Sequence, residues 1–331
     1  MPILTARTGR ARPAPVLTVT VATALALGAS AVPALAATGA PARSATAGTA
    51  FTTAARAGAV THTPVLKAAA PKAPSIVAKG GYVMNNASGT GYFSKAADTK
   101  RSTGSTTKIM TARVVLAQKG LNLSRKVTVQ KAYSDYIVAK NASSARLIVG
   151  DKVTVGQLLY GLMLPSGCDA AYALADTFGK GSTRAARVSS FIGQMNTTAK
   201  SLGLKNTHFD SFDGIGNGSN YSTPHDLTKL ASSAMKYATF RTVVKTKSTK
   251  QKVTTKSGGY RYMAWTNTNG LLSSYSGTIG VKTGSGPEAK YCLVFAATRS
   301  GRTVIGTVLA STSETTRTAD AKKLMDYAFK R

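Results

Sequence analysis

The chain is poor in the residues from which metal and redox sites are commonly built. It holds two cysteines, Cys168 and Cys292, and three histidines in 331 residues. A disulfide-dependent fold shows more cysteines in a much smaller chain, and no Cys/His cluster suggests zinc. Cys292 sits in the apolar run 291–298 and reads as a buried strand residue, so two free thiols are expected. Acid is scarce as well: 12 Asp and Glu stand against 43 Lys and Arg, a formal charge of +31. Only Glu288 and Glu314 are glutamates. No G-x-S-x-G elbow occurs, which counts against a Ser-His-Asp hydrolase, and His208 and His225 read as loop and helix-start residues. Gly214-x-Gly216-x-Gly218 lacks a βαβ setting and reads as a loop, not a dinucleotide site.

Long apolar runs are missing too. The single candidate, 16–27, follows Arg7, Arg10 and Arg12 and precedes Ala34-Leu35-Ala36. That order reads as a secretory leader over 1–36, cut after Ala36. The alternative is an uncleaved N-terminal anchor, which the short, Thr-interrupted run disfavours; elsewhere nothing approaches the about 20 apolar residues of a span. Residues 37–75 are Ala, Thr, Pro and Gly with scattered basic residues, too little apolar surface to offset ordering entropy, and are expected to form a tether. The remainder, about 76–331, is long enough for one large domain or two intimately packed subdomains. No nucleic-acid motif accompanies the positive charge. For an exported protein, anionic cell-wall polymers are the expected long-range partner, with plain colloidal solubility as the bland alternative.

What the chain does have is patterned. Segments 80–86 and 91–94 flank Asn86-Ala87-Ser88-Gly89 as a hairpin. Three more strands are expected at 277–283, 291–298 and 303–310, followed by a helix capped by Ser313. Between them lie helix candidates at 106–118, 155–164, 169–178, 185–202 and 224–237. Strands at both ends and helices between imply an α+β fold: one antiparallel sheet built from both chain ends, covered by a helical insertion.

Three strings stand out in order: Ser105-Thr106-Thr107-Lys108, Ser166-Gly167-Cys168 and Lys282-Thr283-Gly284. Ser105 at a helix start places Lys108 one turn later on the same face, within reach of the hydroxyl. The helix N-terminus aims N–H groups at the reacting centre. A serine hydroxyl needs a base to accept its proton as it attacks. An amine serves once it has shed its own proton, which burial and a second cation favour; Lys282 is that second cation. Decoys exist. Ser233-Ala234-Met235-Lys236 also matches S-x-x-K but looks like an ordinary helix surface. Lys256-Ser257-Gly258 mimics the third string inside a polar turn. Only the first set keeps order and apolar context.

With these strings the chain resembles the D-alanyl-D-alanine carboxypeptidase family of serine penicillin-binding proteins. The likeness extends to 105–111 (STTKIMT), 162–176 (LMLPSGCDAAYALAD), 202–209 (LGLKNTHF), 221–227 (YSTPHDL), 266–272 (TNTNGLL) and 280–294 (GVKTGSGPEAKYCLV). It implies a penicillin-binding transpeptidase-like fold with a five-stranded antiparallel sheet, flanking helices and a helical subdomain. It implies Ser105 as nucleophile, Lys108 as base and Ser166 as proton relay. Lys282 and Thr283 would bind the terminal carboxylate, with Cys168 and Gly284 at the substrate and the N–H groups of Ser105 and Ser285 in the oxyanion hole. The substrate would be a peptidoglycan stem peptide ending in D-Ala-D-Ala, with β-lactams as inhibitors and no metal or cofactor. Transfer to an amine, or a feebly catalytic wall-binding role, are the alternatives. A class A β-lactamase would need a Glu between the second and third strings, where none occurs. Two departures are visible. Cys168 replaces the family's Asn, a weak donor and acceptor where a strong one is usual. Where relatives carry an Arg after the last strand, the alignment offers Ser311 and Thr312, leaving the carboxylate to Lys282 and Thr283.

Overall fold

A computed structural model describes residues 71–331. The expected leader over 1–36 and all but the end of the expected tether over 37–75 fall outside the described residues. In chain order the first half comprises β1 (Gly80–Asn85), β2 (Gly91–Lys95), β3 (Arg101–Ser102), α1 (Lys108–Leu116), β4 (Lys126–Thr128), α2 (Lys131–Lys140), β5 (Lys152–Thr154), α3 (Val155–Met163), α4 (Cys168–Phe178) and α5 (Arg184–Ser201). The second half comprises β6 (Tyr221–Ser222), α6 (Pro224–Ala234), α7 (Ala238–Lys245), β7 (Ser248–Thr254), β8 (Tyr260–Thr266), α8 (Leu271–Ser274), β9 (Thr278–Gly286), β10 (Lys290–Arg299), β11 (Arg302–Ser311) and α9 (Glu314–Phe329).

The expected five-stranded sheet is present, in the order β2-β1-β11-β10-β9, with every pairing antiparallel. It joins the two chain ends, β1 lying against β11 with Val83 opposite Gly306. Strand periodicity sends alternate residues to two cores. Leu293, Phe295, Val304 and Val308 pack under α9 with Leu324 and Met325. Val294, Ala296, Ile305 and Leu309 face the helical layer with Ile109, Met110, Leu227 and Leu230. Burial on both faces explains why β10 reads as one apolar run instead of an alternating one. Helix α9 starts where expected, at a capping box between Ser313 and Thr316. Asp320 on α9 accepts from the backbone N–H groups of Val77 and Ala78, clamping the entry to β1.

The middle of the chain is less helical than its sequence suggests. A second, four-stranded sheet runs β4-β5-β7-β8, and α2 precedes β5. The expected helix over 224–237 ends early: α6 stops at Ala234, and a separate helix, α7, begins after Tyr237. Among the described residues no helix is long and apolar enough to cross a membrane.

Candidate active site

Ser105 does not open an α-helix. It lies in a 3-10 turn, Gly104–Thr107, that leads into α1 at Lys108. In such a turn residues i and i+3 eclipse, so Lys108 is brought directly over Ser105. The turn is fastened from outside by Asn220, whose Nδ2 donates to the hydroxyls of Thr103 and Thr107 at 2.9 Å each.

Lys108 is fully buried. Its Nζ donates to Ser105 Oγ at 2.9 Å, to Cys168 Sγ at 3.3 Å and to the carbonyl of Asp213 at 3.1 Å. Three polar groups thus surround the amine. The carboxylate of Asp213 is engaged elsewhere, accepting from the Tyr136 hydroxyl at 2.9 Å and from the N–H of Ile215. Burial, then the Asp213 charge, push the Tyr136 phenol above its ordinary range. Cys168, expected among the substrate-binding groups, is fully buried and lies against the amine of Lys108. Burial raises its thiol despite the opposing pull of Lys108, so it meets the amine as a neutral thiol.

Ser166 follows Pro165 in the left-handed region, φ 66°, a conformation that costs energy in a residue with a Cβ. Its Oγ is buried without a partner, and its carbonyl accepts from Ser143 Oγ at 2.6 Å. Asp169 holds that arrangement. Its carboxylate accepts from Ser144 Oγ and from the N–H groups of Ala145, Leu147 and Ala170. Asp169→Ala strands these donors. Losing roughly 3 kcal/mol is expected for several unsatisfied buried groups, a Tm drop of about 6–12 °C for a domain of this size. Calorimetry checks it, and a drop of under about 2 °C contradicts the role.

Lys282 on β9 is buried, its Nζ bonded to the carbonyl of Thr283 at 3.1 Å. Burial first, and the charge of Lys108 second, hold it well below the ordinary lysine value of 10.5. Thr283 Oγ1 pairs with Thr268 Oγ1 at 2.6 Å. β9 is an edge strand, and its N-terminal neighbour across the gap is the serine turn. Two glycines permit that approach. A Cβ on Gly284 would lie 2.7 Å from the Thr103 carbonyl, and one on Gly104 (φ 50°) 2.8 Å from the Ser285 carbonyl. The backbone of Ser285 thereby sits beside the turn that carries Ser105. Gly284→Ala must push the strand away, and an ångström of misplacement lowers kcat/KM by about 100-fold. Titration with a fluorescent penicillin measures it; an unchanged acylation rate removes the glycine argument.

One functional candidate was not found by sequence. Arg317, in the first turn of α9, is buried, with Nη1 on the Gly284 carbonyl at 3.3 Å and Nη2 on Glu314 at 3.0 Å. Its Nε is buried without a partner. Of the expected positions, Ser311 ends β11 and Thr312 follows it, whereas the guanidinium arrives from the first turn of α9. The Ser313 capping box, which fixes where α9 starts, was the signal that could have located it. The decoys are placed as expected: on α6, Ser233 Oγ accepts from Arg113 of α1, and Lys256-Ser257-Gly258 forms the β7–β8 turn. Both cysteines are free and buried. No group of three or more His, Cys, Asp or Glu side chains able to hold a metal ion occurs among the described residues.

The family model described as D-alanyl-D-alanine carboxypeptidase matches residues 67–313. The chain belongs to the D-alanyl-D-alanine carboxypeptidase family. It is 74% identical over 257 residues to the D-alanyl-D-alanine carboxypeptidase of Streptomyces sp. (strain K15), covering 77% of this chain and 88% of that one. Identity to DacF of Bacillus subtilis (strain 168), a family member, is 31% over 255 residues, covering 76% of this chain and 62% of DacF. This chain thus spans less than two thirds of DacF. The crystal structure of the Streptomyces K15 DD-transpeptidase superposes with a TM-score of 0.78 at 75% identity, covering 78% of this chain and 99% of that one. The same K15 strain thus lends its name to a carboxypeptidase and to a transpeptidase.

Proposed function

We propose that the chain is a serine DD-peptidase acting on peptidoglycan stem peptides that end in D-Ala-D-Ala, outside the cytoplasm, in wall maturation. One observation carries the reading: a buried lysine amine sits 2.9 Å from the serine hydroxyl, and a second buried lysine, Lys282, lies near enough for Lys108 to disfavour the charge of Lys282. Ser105 Oγ attacks the carbonyl of the penultimate D-alanine while the Lys108 amine, 2.9 Å away, takes the hydroxyl proton. The N–H groups of Ser105 and Ser285 bind the oxyanion, which carries full charge only in the transition state. The peptide lies along the free edge of β9 as an added strand, and Lys282, Thr283 and Arg317 take its terminal carboxylate. Ser166, with its unpartnered Oγ, passes the proton to the leaving amine, and D-alanine departs. Water then releases the acyl group. A β-lactam offers the same amide and carboxylate and acylates Ser105 in the same way.

Transfer of the acyl group to an amine is the second reading. The K15 relative's description as a DD-transpeptidase supports it. Incubation with a D-Ala-D-Ala tripeptide, with and without an acceptor amine, tests both. D-alanine release is expected in each case, and the share of amide product apportions them. Absence of D-alanine release from folded protein overturns both.

A further inference from the structure

The four-stranded sheet has an outer face that the peptidase chemistry does not use. Its outward positions are lysine, tyrosine, threonine, serine and one alanine. Four lysines share it: Lys126 on β4, Lys152 on β5, and Lys250 and Lys252 on β7, all exposed. Three of them crowd around one residue. Lys126 Nζ reaches Thr254 Oγ1 at 3.3 Å, Lys152 pairs with Thr254, and Lys252 is two positions along. Two tyrosines complete the face. Tyr260 and Tyr262 are 62% and 54% exposed and stand among the exposed large hydrophobic side chains of the described residues. Lys252 Nζ sits 4.1 Å from the Tyr260 ring centroid, and Lys250 Nζ 4.8 Å from that of Tyr262.

Like charges side by side on a sheet repel, and the chain supplies no counter-charge here. No Asp or Glu occurs between Asp226 and Glu288 or between Asp98 and Asp135, the segments that hold β7, β8 and β4. The adjacent Asp151 turns to the inner side, where it is buried and paired with Arg261 at 2.8 Å. The absent negative charge therefore comes from a partner. We propose that this face binds an anionic phosphodiester polymer of the cell wall. The ammoniums spread over three strands, with Lys250 and Lys252 about 7 Å apart along β7, so they match a linear run of phosphates better than one phosphate. No Leu, Ile, Val, Phe or Trp points outward from the four strands, so the face has nothing to place in an acyl layer. The tyrosine rings present flat surfaces and hydroxyls to polyol or sugar units between phosphates.

Binding of the full mature chain to long-chain poly(glycerol phosphate) is measured across a salt series. The combined K126Q, K152Q, K250Q and K252Q variant is expected to bind at least about tenfold more weakly, and the log–log salt slope to fall by about 3, one lost counterion release per lysine. A control with the same charge change on the helical side, K119Q, K180Q, K200Q and K205Q, is expected to lose less than about threefold, keeping most of its slope. Y260S with Y262S weakens binding while leaving the slope unchanged. Equal losses in both lysine variants show a net-charge effect and overturn the site. So does absence of polymer binding, or binding to phosphatidylglycerol vesicles that the polymer fails to compete. D-alanine release from a soluble tripeptide is followed in parallel. It reports folding and the peptidase reading separately from the polymer result.

Discussion

Lys108→Met is expected to slow acylation of Ser105 by about 10³–10⁴-fold while the protein stays folded, the upper range for removing a general base. The expectation rests on the amine's three bonds, to Ser105 Oγ, Cys168 Sγ and the Asp213 carbonyl. Methionine keeps the length of the side chain without burying a charge, so the packing of α1 survives. It leaves the Asp213 carbonyl without its donor, at a stability cost of about 1–3 kcal/mol. Stopped-flow acylation by a chromogenic cephalosporin separates this loss from binding. A rate within tenfold of wild type gives the base role to another group.

Lys282→Met is expected to lower kcat/KM for a D-Ala-D-Ala peptide by about 10- to 150-fold, the worth of a charged hydrogen bond to a carboxylate. The same peptide with its C-terminus amidated is expected to lose little, because the lost interaction is with the terminal carboxylate. Equal losses on both peptides would assign Lys282 to the reacting centre instead. The pH dependence follows from its depressed position below 10.5. The ammonium that grips the carboxylate exists below the lowered folded value and is lost as pH rises through it. KM therefore climbs on the alkaline side well before 10.5, and Lys282→Arg, which stays charged, flattens that limb. A KM independent of pH up to 10.5 contradicts the assignment.

The sheet that frames the site was legible because β10 and β11 are buried and largely apolar on both faces. The helices around it were legible because Thr154, Thr183, Thr223 and Ser313 cap them with side-chain bonds. The second sheet was not. Its strands β4 and β5 span three residues each, and β7 reads Ser-Thr-Lys-Gln-Lys-Val-Thr, with only Val253 fully buried. A face of lysines carries almost no hydrophobic alternation. Helix α2 escaped for a similar reason, since Tyr133 is its one buried residue. In the site, the strings located Ser105, Lys108 and Lys282, but spacing alone does not distinguish an α-turn from the 3-10 turn that sets Lys108 over Ser105. Asn220 was invisible because its role depends on Thr103 and Thr107, far away in the chain, whereas Arg317 was reachable only through the Ser313 cap that fixes where α9 starts.

The nucleophile is the central claim, and Cys168 is its nearest competitor, sharing the Lys108 amine at 3.3 Å. Stoichiometric reaction with benzylpenicillin, tryptic digestion and mass spectrometry separate them. The penicilloyl mass is expected on the peptide 102–108, which holds Ser105. Its appearance on 153–180, which holds Cys168, would contradict the account.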